Sequence, residues 1–111
     1  LLVVGLFLFA KDISFDGYIS KITFNRDYLV AGLENGGVHI KNFKSLKLVK
    51  KISLPNIEDF MGDKIAMPIY SLDIMDNKVL ILGEGSDSVR VLYIYDIKTD
   101  KLSHIFTSPT T

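Results

Sequence analysis

The sequence predicts an all-β protein made of antiparallel four-stranded sheets, and three observations carry this prediction. Apolar stretches of about six residues alternate with turn residues, helical periodicity is nearly absent, and the order of the stretches recurs after about fifty residues. Lys plus Arg total 13 and Asp plus Glu total 13, so the formal net charge is +0. A neutral chain has no general attraction for nucleic acid, and we expect no nucleic-acid partner.

The first ten residues have the composition of a secretory leader. Residues 1–10 are apolar or glycine and end on the small side chain of Ala10, as the hydrophobic segment and cleavage site of a signal peptide do. We therefore expect residues 1–10 to be a partial signal peptide, cleaved before Lys11, on an exported protein. The run is shorter than the roughly 20 residues of a membrane-spanning helix, so no stable membrane span is expected. A buried β-strand is the alternative, because Val, Leu and Phe also suit a strand.

Four strands are predicted in the first half of the remaining chain, at residues 19–24, 28–33, 38–43 and 48–54. The first and third alternate polar and apolar residues, whereas the second is a compact apolar run. Asn35-Gly36 is a preferred pair for a tight hairpin in which both central residues take positive φ. An amphipathic helix over residues 41–51 is the alternative for that segment, because Phe43, Leu46 and Val49 recur at three-residue spacing.

The second half of the chain repeats the order of the first. The matched segments are 19–24 with 69–74, 28–32 with 79–83, 38–45 with 92–99, and 47–48 with 101–102. The offset grows from 50 to 54, as expected if loops lengthen while the strand order is preserved. The counterpart of residues 41–51 has no helical face, which favours strand, turn and strand there.

A repeat of about 50 residues with four short strands is the signature of a β-propeller blade. We therefore expect two antiparallel four-stranded blades within residues 11–111, at about 18–54 and 68–107, joined by an inter-blade loop at 55–67. A blade needs neighbours to cover its sheet faces. Propellers have roughly 4 to 8 blades, so two blades predict a fragment of a larger ring or a chain that oligomerises.

The ends of the third strands resemble the WD-repeat family. The segments are Val38-x-Ile40-x-Asn42-Phe43 and Leu92-x-Ile94-Tyr95-Asp96-Ile97, with Tyr95-Asp96 where that family has Trp-Asp. The first repeat departs further, with Lys41-Asn42 at that place, and the family's upstream Gly-His pair is absent. The resemblance spans most of residues 18–106, and it implies the propeller fold rather than an activity.

A narrower resemblance is to the NapL family, propeller-like accessory proteins of the periplasmic nitrate reductase. It rests on Asp16-Gly17-Tyr18-Ile19 after the leader, on residues 57–65, and on Ile69-Tyr70-Ser71-Leu72-Asp73. The resemblance implies a periplasmic, non-catalytic protein whose partner is a molybdenum-containing nitrate reductase or its maturation factors. That family has no established catalytic residues, so none is carried over.

Catalytic, cofactor and metal motifs are not found in the sequence. The chain has no cysteine, and its two histidines, His39 and His104, fall at different positions of the repeat. Residues 83–86 lack the Lys-Ser/Thr ending of a phosphate loop and predict a hairpin tip. We therefore expect no enzyme and no cofactor. The alternative is a propeller hydrolase in which several blades bind a metal ion on the ring axis. This alternative stays open because Glu34 and Glu84 occupy similar loop positions in the two repeats.

The longest loops of the predicted sheets share one rim. In a four-stranded meander the loops at 33–37, 55–68 and 84–89 emerge on the same side, and binding residues concentrate on loops of a rigid scaffold. Several apolar residues lie in the loop at 55–68, and we expect some of them to pack as core. The candidate partner-binding residues are Glu34, Asn35, Ile57, Glu58, Asp59, Phe60, Met61, Asp63, Glu84 and Asp87.

Overall fold

The structure is a computed structural model that describes residues 17–109, and this part of the chain is all-β. Its strands are β1 (Ile19–Phe24), β2 (Tyr28–Leu33), β3 (Gly37–Asn42), β4 (Leu48–Ser53), β5 (Ile57–Glu58), β6 (Lys64–Ile65), β7 (Ile69–Met75), β8 (Lys78–Glu84), β9 (Val89–Asp96) and β10 (Lys101–Pro109). β1 to β4 form one antiparallel sheet in sequential order, β7 to β10 form a second, and β5 pairs with β6. One turn of 3-10 helix spans Ser86–Ser88.

The predicted strands are confirmed with small changes at their ends. β1 and β2 have the expected bounds, whereas β3 runs over Gly37–Asn42 rather than 38–43, and β4 ends at Ser53 rather than at residue 54. The alternative helix over 41–51 is wrong, because this segment is strand, turn and strand. The segment at 55–67, predicted as an inter-blade loop, is not wholly irregular, since it contains the β5–β6 hairpin. The predicted signal segment at residues 1–10 lies outside the described residues.

The β3–β4 and β9–β10 hairpins close with the same turn. The Asn42 side-chain oxygen accepts hydrogen bonds from the amides of Lys44 and Ser45, each at 2.9 Å. The Asp96 carboxylate accepts from the amides of Lys98 and Thr99 at 3.0 and 3.1 Å. Leu46 and Asp100, which end the two turns, both have positive φ, at 61° and 56°. An Asx side chain that binds the amides two and three residues on therefore sets both turns.

Strand pairing corrects the predicted alignment of β2 with β8 by one residue. Phe24 lies opposite Leu29 in the first sheet, and Ile74 lies opposite Val79 in the second. Leu29 therefore corresponds to Val79, an offset of 50 rather than the expected 51. Each sheet also has a register irregularity in its first strand, at Ile19/Lys21 and at Ile69/Ser71.

The two sheets pack face to face around one apolar core. Val30, Val38 and Ile40 of the first sheet and Val79 and Ile81 of the second are fully buried in this core. Alternation along a strand places these residues on the facing sides of the sheets. A close approach occurs at Gly32, where an added Cβ would lie 3.0 Å from Ile69 Cδ1 and 3.2 Å from Leu72 Cδ1. Glycine at this position lets β2 come close to β7.

The outer faces of the two sheets differ in burial. On the first sheet Leu29, Ala31 and Leu33 are buried, as are the polar residues His39 and Lys41. On the second sheet the outward residues of β8 and β9 form directly opposed apolar pairs that are only half-buried. These pairs are Leu80 with Ile94 and Leu82 with Leu92. The second sheet therefore presents a partly exposed apolar face to solvent.

A polar cluster joins the two sheets near the β9–β10 turn. Lys50 Nζ of the first sheet lies 3.1 Å from both carboxylate oxygens of Asp100. The Tyr95 hydroxyl donates to the same carboxylate at 2.6 Å. Burial, followed by this hydrogen bond, raises the pKa of Tyr95 to about 12. Hydrogen bonds from Tyr95 and Lys50 lower the pKa of Asp100.

Candidate functional site

The three predicted loops lie at one edge of the paired sheets, and we call residues 33–37, 55–68 and 84–89 the loop rim. An added Cβ on Gly36 would lie 3.5 Å from the Met67 amide nitrogen and 3.6 Å from Ala66 Cβ, so the first and second loops touch. The Glu58 amide donates to Ser86 Oγ at 3.0 Å, which joins the second loop to the third. The rim is therefore one connected surface.

The turn between β2 and β3 is a hairpin, but not of the predicted type. The Gly36 amide donates to the Leu33 carbonyl at 3.1 Å, so Glu34 and Asn35 are the central residues of the turn. Only Gly36, which follows them, has positive φ (84°). The Asn35 side-chain oxygen accepts from the Gly37 amide at 2.9 Å. Asn35 therefore shapes the turn, and Glu34 is exposed beside it.

The tip of the β5–β6 hairpin is held by its own hydrogen bonds. The Asp59 carboxylate accepts from the amides of Met61 and Asp63, each at 2.9 Å. The Asp59 amide donates to the Asp63 carbonyl at 2.9 Å, and the Gly62 amide donates to the Asp59 carbonyl at 3.0 Å. Gly62 has φ of 83°, a conformation that glycine adopts at no steric cost. Local bonding thus gives residues 59–63 a defined conformation.

The apolar residues of this segment divide into a buried base and an exposed tip. Ile57 and Met67 belong to the core between the sheets. Phe60 and Met61 project from the hairpin tip, with 98% and 72% of their surfaces exposed. The expectation that some of these residues pack as core is confirmed for Ile57, which is therefore unavailable to a partner. Phe60 and Met61 are the apolar candidates that solvent reaches.

Glu84 is engaged by its neighbours rather than free at a loop tip. The Tyr70 hydroxyl donates a hydrogen bond to the Glu84 carboxylate, and the Arg90 guanidinium carbon lies 4.2 Å from the centre of the Tyr70 ring. The hydrogen bond to Glu84 is the main cause that raises the pKa of Tyr70. Asp87, in the 3-10 turn, is exposed and has φ of 60°.

Most of the predicted site is brought together, and the sequence missed the contacts that assemble it. Ser86 binds the Glu58 amide, the Tyr70 hydroxyl binds Glu84, and Arg90 lies over the Tyr70 ring. The partners are far apart in the sequence: 28 residues for Glu58 and Ser86, 14 for Tyr70 and Glu84, and 20 for Tyr70 and Arg90. No local pattern identifies such pairs, because they form only once the sheets are assembled.

Other polar groups do not form a chemical site in the part of the chain that the structure describes. There, no three His, Cys, Asp or Glu residues lie close enough together to hold a metal ion. His39 is buried on the outer face of the first sheet, and the ring of the exposed His104 lies 5.3 Å from that of Tyr93. Residues 17–109 contain no helix that is long and apolar enough to cross a membrane.

Comparison with known proteins gives no assignment. No model of a known protein family matches the sequence, and a search of curated proteins finds no similar chain. The features that bear on function are therefore the fold, the loop rim and the two family resemblances in the sequence.

Proposed function

We propose that this chain is a non-catalytic protein-binding module and that the loop rim is its binding surface. The observation that carries the proposal is the exposure of Phe60 and Met61 on a hairpin whose conformation is held by Asp59. Aromatic side chains and methionine are enriched at protein–protein interfaces. A tip that is already ordered loses little conformational entropy on binding, which favours affinity.

The proposed scaffold is a pair of β-propeller blades that belong to a larger ring. Two sheets of the same strand order and two matching Asx turns support this proposal. The half-buried outer face of the second sheet supports it as well. Leu80, Leu92 and Ile94 occupy the positions that Val30, Val38 and Ile40 occupy in the first sheet, where they are fully buried. A further blade would cover this face as the second sheet covers the first.

The proposed setting is the periplasm, where the module assists the maturation or activity of a nitrate reductase. Support comes from the leader-like residues 1–10 and from the NapL-like stretches, which include residues 57–65. That second stretch is the β5–β6 hairpin with its exposed tip. The segment that suggests the family is thus also the segment that best suits a binding role.

Affinity capture from a periplasmic extract of the source organism tests the proposal. The 111-residue chain is immobilised, and captured proteins are identified by mass spectrometry. We expect a molybdenum-containing nitrate reductase or its maturation factors to be retained, and we expect Phe60→Ser and Met61→Ser to lose them. Met75→Ser is the matched control. The Met75 side chain is 63% exposed, a fraction similar to the 72% of Met61, but it lies outside the loop rim.

The outcomes separate the parts of the proposal. Retention of the same proteins by the wild type and by both rim variants would contradict binding through the hairpin tip. Retention of a different client, lost in the rim variants, would preserve the binding module and reject the nitrate reductase assignment. A chain that retains no protein, at a concentration that preserves weak complexes, would contradict the accessory function.

A further inference from the structure

We infer that the partner presents an apolar patch bordered by lysine or arginine side chains. This inference rests on the proposed function, and it names the chemistry of the surface that receives Phe60 and Met61. It follows from how charge is distributed over a chain whose formal net charge is +0.

Negative charge is concentrated on the loop rim. Within residues 33–37, 55–68 and 84–89 there are six carboxylates and one basic residue, Lys64, which gives a formal charge of −5. The rest of the chain has 7 acidic and 12 basic residues, because the totals are 13 and 13, and it carries +5. The rim carboxylates are Glu34, Glu58, Asp59, Asp63, Glu84 and Asp87. The loop rim, which carries the exposed apolar tip, is therefore the acidic part of the sequence.

The carboxylates nearest the tip have different roles. Asp59 is occupied by the amides of Met61 and Asp63. Asp63 and Glu58 are exposed, and Glu58 lies opposite Lys64 in the β5–β6 pair. Phe60 and Met61 thus project between acidic residues on both sides along the chain. Complementary potentials across an interface steer association and fix its register, so the matching surface is apolar at its centre and cationic at its border.

A lipid surface fits the tip less well than a protein does. Anionic headgroups would be repelled by the acidic rim, since membrane-surface attraction relies on basic residues. Two apolar side chains bury less than one myristoyl chain, which by itself gives only marginal membrane binding. A partner protein can surround both side chains with an apolar patch and place cations against Glu58 and Asp63.

A fluorescent variant tests this inference directly. The chain has no tryptophan, so Phe60→Trp places a single indole reporter at the tip while an aromatic side chain is kept there. Four probes are titrated: an amphipathic peptide of leucine and lysine, a matched peptide of leucine and glutamate, phosphatidylcholine vesicles, and vesicles that also contain phosphatidylglycerol. A blue shift of the indole emission reports transfer into an apolar environment.

We expect a saturable blue shift with the leucine–lysine peptide and none with the other three probes. Neutralising the two exposed carboxylates, Glu58→Gln with Asp63→Asn, should weaken that binding about three- to tenfold, as loss of two solvent-exposed ion pairs would. Asp27→Asn with Asp76→Asn removes the same charge from turns at the opposite rim and should leave the affinity unchanged. The affinity should also fall as the salt concentration rises above about 0.1 M, because the Debye length there is about 10 Å and shortens further with added salt.

The opposite results overturn the inference. Equal binding of both peptides would show an apolar contact without charge selection, and a shift with vesicles alone would show a lipid-binding tip. If none of the four probes shifts the indole emission, the proposed cationic border is rejected as well. None of these results decides the outcome of the capture experiment with native extract. That experiment asks whether the loop rim binds a protein, and it does not depend on the charge that the protein carries.

Discussion

Replacing Ile81 with alanine tests which face of the second sheet forms the core. Ile81 is 0% exposed and belongs to the cluster between the sheets, whereas its neighbour Leu80 points to the opposite, half-buried face. Ile81→Ala removes three carbons, worth about 0.8 kcal/mol each, or about 2.4 kcal/mol of transfer free energy. The cavity left in a packed interior brings the expected loss of unfolding free energy to about 3–4 kcal/mol.

Leu80→Ala is the matched control, because it removes the same number of carbons from the adjacent position. Its side chain is only partly buried and its removal leaves a site open to solvent rather than a closed cavity, so we expect a smaller loss of about 1.5–2 kcal/mol. Equilibrium unfolding in urea, followed by circular dichroism, measures both values. With a denaturant dependence of about 2 kcal/mol per molar, the midpoint should fall by about 1.5–2 M for Ile81→Ala and by at most about 1 M for Leu80→Ala.

A Leu80→Ala variant that loses as much stability as Ile81→Ala would refute the assignment of the two faces. It would mean that the outer face of the second sheet is already covered in solution. Sedimentation analysis of the wild type would then show whether self-association is the cause. An unchanged midpoint for Ile81→Ala would refute the packing of the sheets against each other.

Three further predictions concern the turn, the inter-sheet cluster and the hairpin tip. The pKa of Asp96 is lowered, chiefly by the hydrogen bond from the Thr99 amide, so its contribution to stability is present above pH 3.8 and is lost as pH falls through the folded pKa. Asp96→Asn should keep the turn, because Asn42 forms the same turn in the first sheet. In urea titrations between about pH 2 and 5, the variant should lack this acid-dependent loss of stability. The pKa of Tyr95 is raised from 10.0 to about 12, so its contribution to stability is present below pH 10 and is lost as pH rises towards 12. The stability difference between wild type and Tyr95→Phe should shrink over that interval, and a constant difference would count against the part-buried hydrogen bond to Asp100. Phe60→Ser and Met61→Ser should each change the free energy of unfolding by less than about 0.5 kcal/mol, because both side chains are exposed. A larger loss in thermal or urea unfolding would show that the hairpin tip packs on the scaffold.

The candidate site was predictable in its location and only partly in its composition. The rim position of its loops follows from strand order alone, since loops of an antiparallel meander alternate between two edges. The fate of individual side chains does not follow. Ile57 and Phe60 are three residues apart and both apolar, yet the first is buried and the second is almost wholly exposed. Only the position of the β5–β6 hairpin against the sheets separates them.

Local sequence alone determined the position of the main strands and the Asx turns that close two hairpins, but not the type of the β2–β3 turn. Alternation and apolar runs located β1 and β2 to the residue, and turn residues such as Asn42 and Asp96 close the hairpins through bonds to amides two and three positions away. These features depend on short-range sterics and hydrogen bonding, so they are visible in a few consecutive residues.

The tertiary structure alone decided the register, the core face and the polar contacts. Strand pairing moved the β2–β8 alignment by one residue, and packing of two sheets selected Ile81 rather than Leu80 for the core. The contacts of Ser86 with Glu58 and of Lys50 with Asp100 join residues 28 and 50 positions apart. The physical reason is that burial is shared between distant segments, and a side chain's environment is set by what packs against it rather than by its neighbours in the chain.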